Sequence, residues 1–304
     1  MTGRVLLKTE LDGLPVYRRG KVRDVYEVGK DLLIISTDRV SAFDVVLDTP
    51  IPDKGRILNQ LSLFWFDSTR HLIPNHVLTA DVDRYPEVLL PYREILAERS
   101  MLVRRTEPVP IECVVRGYLY GSGWTEYQRT GAVCGIPLHT GLREAEKLAE
   151  PLFTPSTKEE SGHDVNISEA EVGRRVGRDL AEKLRVRSLE LYRYGSSVAE
   201  AKGILIADTK FEFGLIGQEL LVIDELMTPD SSRFWPREGY APGRTQPSYD
   251  KQFVRDYLSS LSWNKEPPGP PLPESVVTGT TERYWQAYRT LTGRTAPGTP
   301  RERE

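Results

Sequence analysis

The sequence predicts an α+β protein in which antiparallel sheets are flanked by helices. Three observations carry this. Residues 22–28 and 32–37 are two apolar-rich runs around Gly29-Lys30-Asp31, the pattern of a β-hairpin. Residues 204–227 read as two further strands joined at Gly217. Separate stretches then repeat apolar residues at helical spacing, among them Val172, Val176, Leu180 and Leu184.

In chain order, Ile57, Leu58, Leu61, Phe64 and Trp65 recur at helical spacing after Lys54-Gly55. Residues 101–105 and 111–116 read as strands on either side of Glu107-Pro108-Val109-Pro110. Residues 117–165 are rich in Gly, Pro, Ser and Thr with little periodicity, and predict a long functional loop region. Ser168-Glu169-Ala170-Glu171 has the form of a capping box opening a helix with one buried stripe. A second helix is predicted over about 188–202, closed by Gly203. Residues 228–246 read as irregular. Two C-terminal helices, over 248–261 and 281–291, follow across a Pro-rich link, and the last dozen residues are polar.

Composition excludes several classes. A chain of 304 residues suits two domains or one large α/β unit. A net charge of −3 gives no basic field for nucleic acid. The two cysteines, Cys113 and Cys134, form no CxxC and imply neither a disulfide framework nor a zinc site, which fits a cytoplasmic protein. The N-terminus lacks the apolar segment of a signal peptide, and no apolar run is long enough to span a bilayer, so no membrane partner is expected. The four histidines include no HExxH pair.

The chemistry-bearing residues fall in short motifs. Asp208, Lys210 and Glu212 stand at i, i+2 and i+4, which puts all three on one strand face, with Ala207, Phe211 and Phe213 on the other. Such a row suits a metal ion and a polyphosphate, and equally describes an exposed amphipathic hairpin with a surface ion pair. If Glu212 and Asp224 share a metal, a simple two-residue turn at Gly217-Gln218 would put Asp224 on the wrong face, so an odd-length loop or a β-bulge is expected. Gly20-Lys21-Val22-Arg23 puts two cations on one strand face, fit to cover phosphates or to serve as a solvated edge strand; no Walker A or GxGxxG motif is present. Arg116 runs into Gly117-Tyr118-Leu119-Tyr120-Gly121-Ser122, where a guanidinium, backbone N–H groups and a hydroxyl make either a phosphomonoester site or an ordinary turn beside an ion pair. Asp224-Glu225 precedes Pro229-Asp230-Ser231-Ser232-Arg233, a second arginine with hydroxyl neighbours. Lys158 opens a loop, residues 158–164, with further charged and polar groups.

These motifs, in this order and over most of the chain, resemble the SAICAR synthetase (phosphoribosylaminoimidazole-succinocarboxamide synthase) family. Residues 20–24, 110–122, 153–158, 208–214 and 224–235 carry the likeness. The stretch after about 245 is similar to the longer forms of the family. The resemblance implies a SAICAR synthetase-like, ATP-grasp-like two-lobed fold. Residues 1–110 would be a β-rich lobe covering the nucleotide. Residues 111–304 would be an α+β lobe with substrate and metal sites, including a helical extension from about 246. It implies ATP-dependent joining of L-aspartate to the carboxylate of carboxyaminoimidazole ribonucleotide (CAIR) through an acyl phosphate, within purine biosynthesis.

By the same resemblance Lys21, Arg23 and Lys158 contact ATP phosphates, with Glu112 near the ribose. Glu212 and Asp224 hold Mg2+. Arg116, Ser122 and Arg233 clamp the CAIR phosphate, and Lys210 and Asp208 face the reacting carboxylate. Asp38, Ser41, Asp44 and Lys54 lie near the imidazole and amino-acid substrates. The chain would be a monomer or homodimer. The chemistry is consistent with a chain that has no Ser-His-Asp or Cys-His motif, because ATP, not a protein nucleophile, activates the carboxylate. A kinase or ligase with another phosphorylated substrate on the same scaffold, and a silent nucleotide-binding module, are the alternatives the motifs leave open.

Overall fold

A computed structural model describes residues 5–158 and 165–295. Most of the motif after Lys158 and most of the polar C-terminal stretch lie outside the described residues. Contacts divide the chain into two compact units. The first holds Met1–Asp67, His76–Thr106 and Tyr249–Glu304; the second holds Ser68–Asn75 and Glu107–Ser248.

The first unit opens with β1 (Val16–Arg19), β2 (Arg23–Val28) and β3 (Asp31–Ser36), then a small hairpin of β4 (Val40–Ala42) and β5 (Val45–Leu47). Helix α1 (Lys54–Ser68), β6 (Val77–Thr79), the short α2 (Arg93–Leu96) and β7 (Ser100–Val103) follow. The main sheet has the order β1-β2-β3-β7-β6. Strand β2 alternates half-buried and buried positions, so Tyr26 and Val28 join Leu33, Ile35, Leu89 and Leu102 in the core while Arg23 stays on the other face. Each such fully buried side chain contributes about 1.5–3 kcal/mol.

The second unit begins with β8 (Glu107–Pro108) and β9 (Ile111–Leu119), then α3 (Ser122–Thr130), β10 (Ala132–Val133), β11 (Ile136–Pro137), β12 (Glu146–Phe153) and β13 (Ser156–Thr157). Helices α4 (Glu169–Val176) and α5 (Arg178–Ala201) lead into β14 (Ile204–Ile216), β15 (Glu219–Ile223) and β16 (Ser232–Pro236). The sheet path is β12-β9-β14-β15, with β13 on β9 and with β8 and β16 on β14. Residues 117–165 are therefore not one long loop. Their elements are short, and they are organised by scattered apolar anchors, Leu119, Tyr127, Val133, Leu142 and Leu148, which show no period in sequence.

Two helix boundaries also differ from expectation. Ser168 does cap α4, its hydroxyl accepting from the Glu171 N–H at 3.2 Å, but the Glu171 carboxylate turns to Arg174 and Arg175 instead of completing a capping box. The helical stripe is interrupted at Gly177 (φ +87°), and α5 then runs unbroken from there. At the C-terminal end, α6 (Gln252–Ser259) and α7 (Glu274–Thr292) return to the first unit. Val254, Leu258, Leu272 and Val276 pack on Val40, Ala42, Leu47 and Ile51 of the β4–β5 region. The compact units thus depart from the expected 1–110 and 111–304 division, because the apolar faces of the last helices find their partners in the first unit. Leu258→Ala there would cost about 2–5 kcal/mol.

Candidate active site

Register builds the site. In the second unit β14 pairs with β9 so that Asp208 faces Arg116, Thr209 faces Val115, Lys210 faces Val114 and Phe211 faces Cys113. Alternation then puts Asp208, Lys210 and Glu212 on one face with Arg116, Val114 and Glu112. Phe211, Phe213, Cys113 and Val115, all buried, take the other face. The charged row read from the sequence is one half of a charged two-strand surface.

One end of that surface is cationic. Arg116 is buried, and each guanidinium nitrogen has one protein acceptor: Nε donates to Thr154 Oγ1 at 3.1 Å, Nη1 to Asp208 Oδ2 at 2.8 Å and Nη2 to Ser122 Oγ at 2.9 Å. A guanidinium has five N–H bonds, so two remain for a further anion. Burial pulls the Arg116 pKa down, opposed by Asp208 and assisted by the Arg233 charge; an arginine stays ionised regardless.

Arg233 comes in on β16, which pairs with β14, and also donates to Asp208 Oδ2. Its guanidinium carbon lies 5.4 Å from the centre of the Tyr120 ring. Gly121 (φ +58°) lies so close that a Cβ there would sit 2.6 Å from Arg233 Nη2, which requires glycine on both counts. Helix α3 starts at Ser122; the Trp124 and Thr125 N–H groups bond the Tyr120 and Gly121 carbonyls at 3.4 and 3.1 Å, so the end open to an anion is the Ser122–Gly123 backbone. Two arginines, a serine hydroxyl and a helix N-terminus converge as a phosphate-type anion site.

Asp208 serves this end. One oxygen accepts from both arginines, so it holds their guanidinium groups in place. Thr154 and Tyr120 are partners the sequence reasoning missed. Thr154 lay within a recognised motif, but nothing local marks a threonine as an acceptor for an arginine 38 residues away.

The other end alternates in sign. Lys210 Nζ bonds Glu112 and, at 3.3 Å, Glu212 Oε1; Lys158 bonds the second oxygen of Glu212. Burial alone would lower the Lys210 pKa, but Glu212 and Glu112, with Asp224, outweigh it and raise it, so the ammonium is held charged.

The β14–β15 hairpin is not bulged. Pairing is regular from Glu212↔Ile223 to Ile216↔Glu219 around the two-residue turn Gly217-Gln218, with Gly217 at φ +60° in the first central position, where a type II′ turn takes glycine. The expected odd loop is absent because its premise fails. The strand ends at Ile223, and Asp224 adopts φ +68°, which breaks the alternation that would have turned it away. Its charge acts on Lys210 alongside Glu212.

Whether magnesium fits can be judged from the donor set. Among the described residues no three His, Cys, Asp or Glu side chains cluster as a ready metal cage. Three carboxylates, Glu112, Glu212 and Asp224, nevertheless act on Lys210, and Glu212 also bonds Lys158, so three hard anionic groups stand against two ammonium groups. One or two carboxylates plus substrate phosphates is the usual protein share of a Mg2+ site, so the residues fit.

The remaining candidates lie in the first unit. Lys21 pairs with Asp44, both about half exposed (55% and 49%). Ser41 on β4 and Arg23 on β2 are half-buried. Asp38 is fully buried, accepting from the Leu6 N–H at 2.8 Å, the Gly55 N–H at 2.9 Å and Arg99 at 3.3 Å. Lys54 at the start of α1 is equally buried. Both are enclosed by protein, and Asp38 ties the N-terminal segment to α1 and the start of β7. Asp24 has a similar scaffold role, accepting from Thr9, Arg19 and Arg39, while Arg39 also holds the Gly20 and Lys21 carbonyls.

Fold and site together define an α+β protein with a built anion site beside a row of alternating charge. Over residues 16–270 the sequence matches the profile of SAICAR synthetase, and the chain belongs to that family. Phosphoribosylaminoimidazole-succinocarboxamide synthases of Desulfosudis oleivorans and Thermodesulfovibrio yellowstonii are 58% and 57% identical, over 95% of this chain and 99% of each relative. The structure of the Saccharomyces cerevisiae SAICAR synthase complexed with SAICAR superposes with a TM-score of 0.88 at 43% identity, covering 96% of this chain and all of that one. A SAICAR synthetase in complex with ADP shares the fold at TM-score 0.67 and 23% identity.

Proposed function

We propose that this protein is an ATP-dependent carbon–nitrogen ligase that joins L-aspartate to the carboxylate of CAIR, giving SAICAR, ADP and phosphate. The observation that carries the reading is buried Arg116, with three protein acceptors for five N–H bonds, beside Arg233 and the start of α3. That arrangement suits the dianionic phosphate of a ribonucleotide. Relatives at 58% and 57% identity bearing the synthase name support the choice of CAIR among phosphomonoesters.

The residues then divide the labour. Arg116, Ser122 and Arg233 hold the CAIR phosphate, and Asp208 keeps both arginines in place. Lys21, Arg23 and Lys158 contact ATP phosphates, and Glu112 anchors Lys210 as well as lying near the ribose. Glu212 and Asp224 would hold Mg2+, which when bound offsets the charge of the nucleotide phosphates. A carboxylate is a poor electrophile; phosphoryl transfer from ATP makes it an acyl phosphate, and attack by the aspartate amine expels inorganic phosphate. Lys210, fixed as an ammonium by Glu112 and Glu212, stabilises the negative charge that gathers during phosphoryl transfer. With both Asp208 and Lys210 engaged, they orient and stabilise, and neither is free to act as base for the aspartate ammonium. Ser41 and Asp44 are assigned to the imidazole and amino-acid substrates.

The test is the complete reaction of CAIR, L-aspartate and MgATP, followed by product mass. A product heavier than CAIR by one aspartate less water is expected, with ADP release requiring aspartate. ADP release at full rate without aspartate would show a kinase instead.

A further inference from the structure

Resting on the reading of Arg116 and Arg233 as the phosphate clamp, we infer that Thr154 and Tyr120 are its positioning residues, each fixing the guanidinium plane of one arginine. Thr154 is completely buried on the link between β12 and β13, so any effect it has on a substrate must pass through another group. Its hydroxyl hydrogen is directed to the Val114 carbonyl, at 3.4 Å, which leaves oxygen lone pairs for Arg116 Nε at 3.1 Å. Its own N–H bonds the same carbonyl at 2.8 Å, so backbone and side chain are both pinned to β9, the strand that carries Arg116.

The position of that contact matters. Nη1 and Nη2 are held by Asp208 and Ser122, one contact each, and still carry the two N–H bonds left for an anion. Nε is the remaining handle, at the base of the fork. Without an acceptor there, the guanidinium would turn to satisfy its buried Nε–H elsewhere and misdirect the two free N–H bonds. Gly123 leaves room for this geometry, since a Cβ there would lie 3.0 Å from Arg116 Cδ.

Arg233 has the corresponding support from an aromatic face. The Tyr120 ring lies 5.4 Å from its guanidinium carbon and is itself braced edge-on by Trp235, with ring centres 5.2 Å apart. The ring face lies against the arginine. The two supports therefore act by different physics, a hydrogen bond and a cation–π contact, on two arginines that share Asp208.

The experiment compares Thr154→Val and Thr154→Ser with Tyr120→Leu and Tyr120→Phe in steady-state assays of all three substrates. Thr154→Val keeps the shape and removes the acceptor; its KM for CAIR should rise about tenfold, with kcat and the KM values for ATP and aspartate within about twofold. Thr154→Ser restores the acceptor and should recover most of that loss. Tyr120→Leu should raise KM for CAIR about three- to tenfold, and Tyr120→Phe should stay near the parent. A KM for CAIR that stays at the parent value in both Thr154→Val and Tyr120→Leu overturns the inference, as does a serine variant no better than the valine one. Should Thr154→Val melt below the assay temperature, the Thr154→Ser and Tyr120 pairs decide alone. Arg116→Ala separates this from the underlying reading. If it leaves KM for CAIR unchanged, the clamp itself is wrong; if it raises KM while Thr154→Val does not, only the positioning role falls.

Discussion

Two cationic regions of this protein are proposed to meet phosphates, and they are built differently. On the β9–β14 surface every charged side chain is held by another: Arg116 by Thr154, Asp208 and Ser122, and Lys210 by Glu112 and Glu212. Just before β2, Lys21 pairs with Asp44, both about half open to water. Preorganised groups cost nothing to reorient when charge develops, so they act on the transition state. Groups loosely held on the surface contribute to binding and little else.

Lys210 gives the sharpest form of that contrast and the largest effect. Lys210→Met should keep the fold and bind CAIR and MgATP within about tenfold, while turnover falls roughly a hundredfold or more. If Lys210 merely neutralised Glu112 and Glu212, the variant would instead lose thermal stability or magnesium affinity, and turnover would recover as magnesium is raised. Turnover measured against magnesium concentration decides, and such recovery would defeat the catalytic role.

The clamp arginines come next. Arg116→Ala or Arg233→Ala should each remove a charge-assisted contact of about 1.5–3 kcal/mol, or roughly ten- to a hundredfold in apparent CAIR affinity, with ATP affinity nearly unchanged. Equal weakening of ATP and CAIR would move the arginine to the nucleotide site and erase the division between the two regions.

How far the sequence exposed this arrangement depends on which physics set each part. The strand faces were legible because alternation is local: Asp208, Lys210 and Glu212 had to share a side once residues 204–216 formed a strand. The partnership with Glu112 was not, because register between β9 and β14 is a long-range choice. The bulge expected before Asp224 failed for a related reason, since period-two reasoning stops where the backbone turns to φ +68°. Asp38 and Lys54 were assigned by family likeness, and their burial depends on the packing of α1, which no motif reports. The docking of α6 and α7 on β4–β5 was hidden because an apolar stripe announces that it will be buried without naming its partner.

The first unit also has an anchored part. His76 is buried, and burial, with the nearby charges of Arg23 and Arg104, pushes its pKa down to about 3. An unfolded histidine takes up a proton near pH 6.5, whereas the folded one stays neutral. As pH falls from about 6.5, the unfolded state gains protons that the folded state does not, and stability drops by about 1.4 kcal/mol per pH unit. Chemical denaturation at pH 6.5 and 5 should therefore show a loss of about 2 kcal/mol from this one group. His76→Gln should remove it; parallel losses in parent and variant would show that His76 is not excluded from protonation. Arg23, whose charge acts on this ring, is half-buried, whereas Lys21 is more than half exposed.

The smallest effect is expected at Lys21 itself. Its pair with Asp44 is exposed on both sides, and such pairs contribute little to stability. Lys21→Ala should shift unfolding free energy by less than about 0.5 kcal/mol. If Lys21 covers ATP phosphates, the variant should still raise KM for ATP by about two- to fivefold, the scale of an exposed charge contact, with KM for CAIR unchanged. That increase should shrink at high salt, because an exposed charge is screened within about 10 Å at 0.1 M ionic strength. The Arg116→Ala loss should be nearly salt-independent, since Arg116 is buried. Equal salt sensitivity in the two variants would mean that both regions present their charge in the same way, and the contrast between a built surface and a loosely held one would not stand.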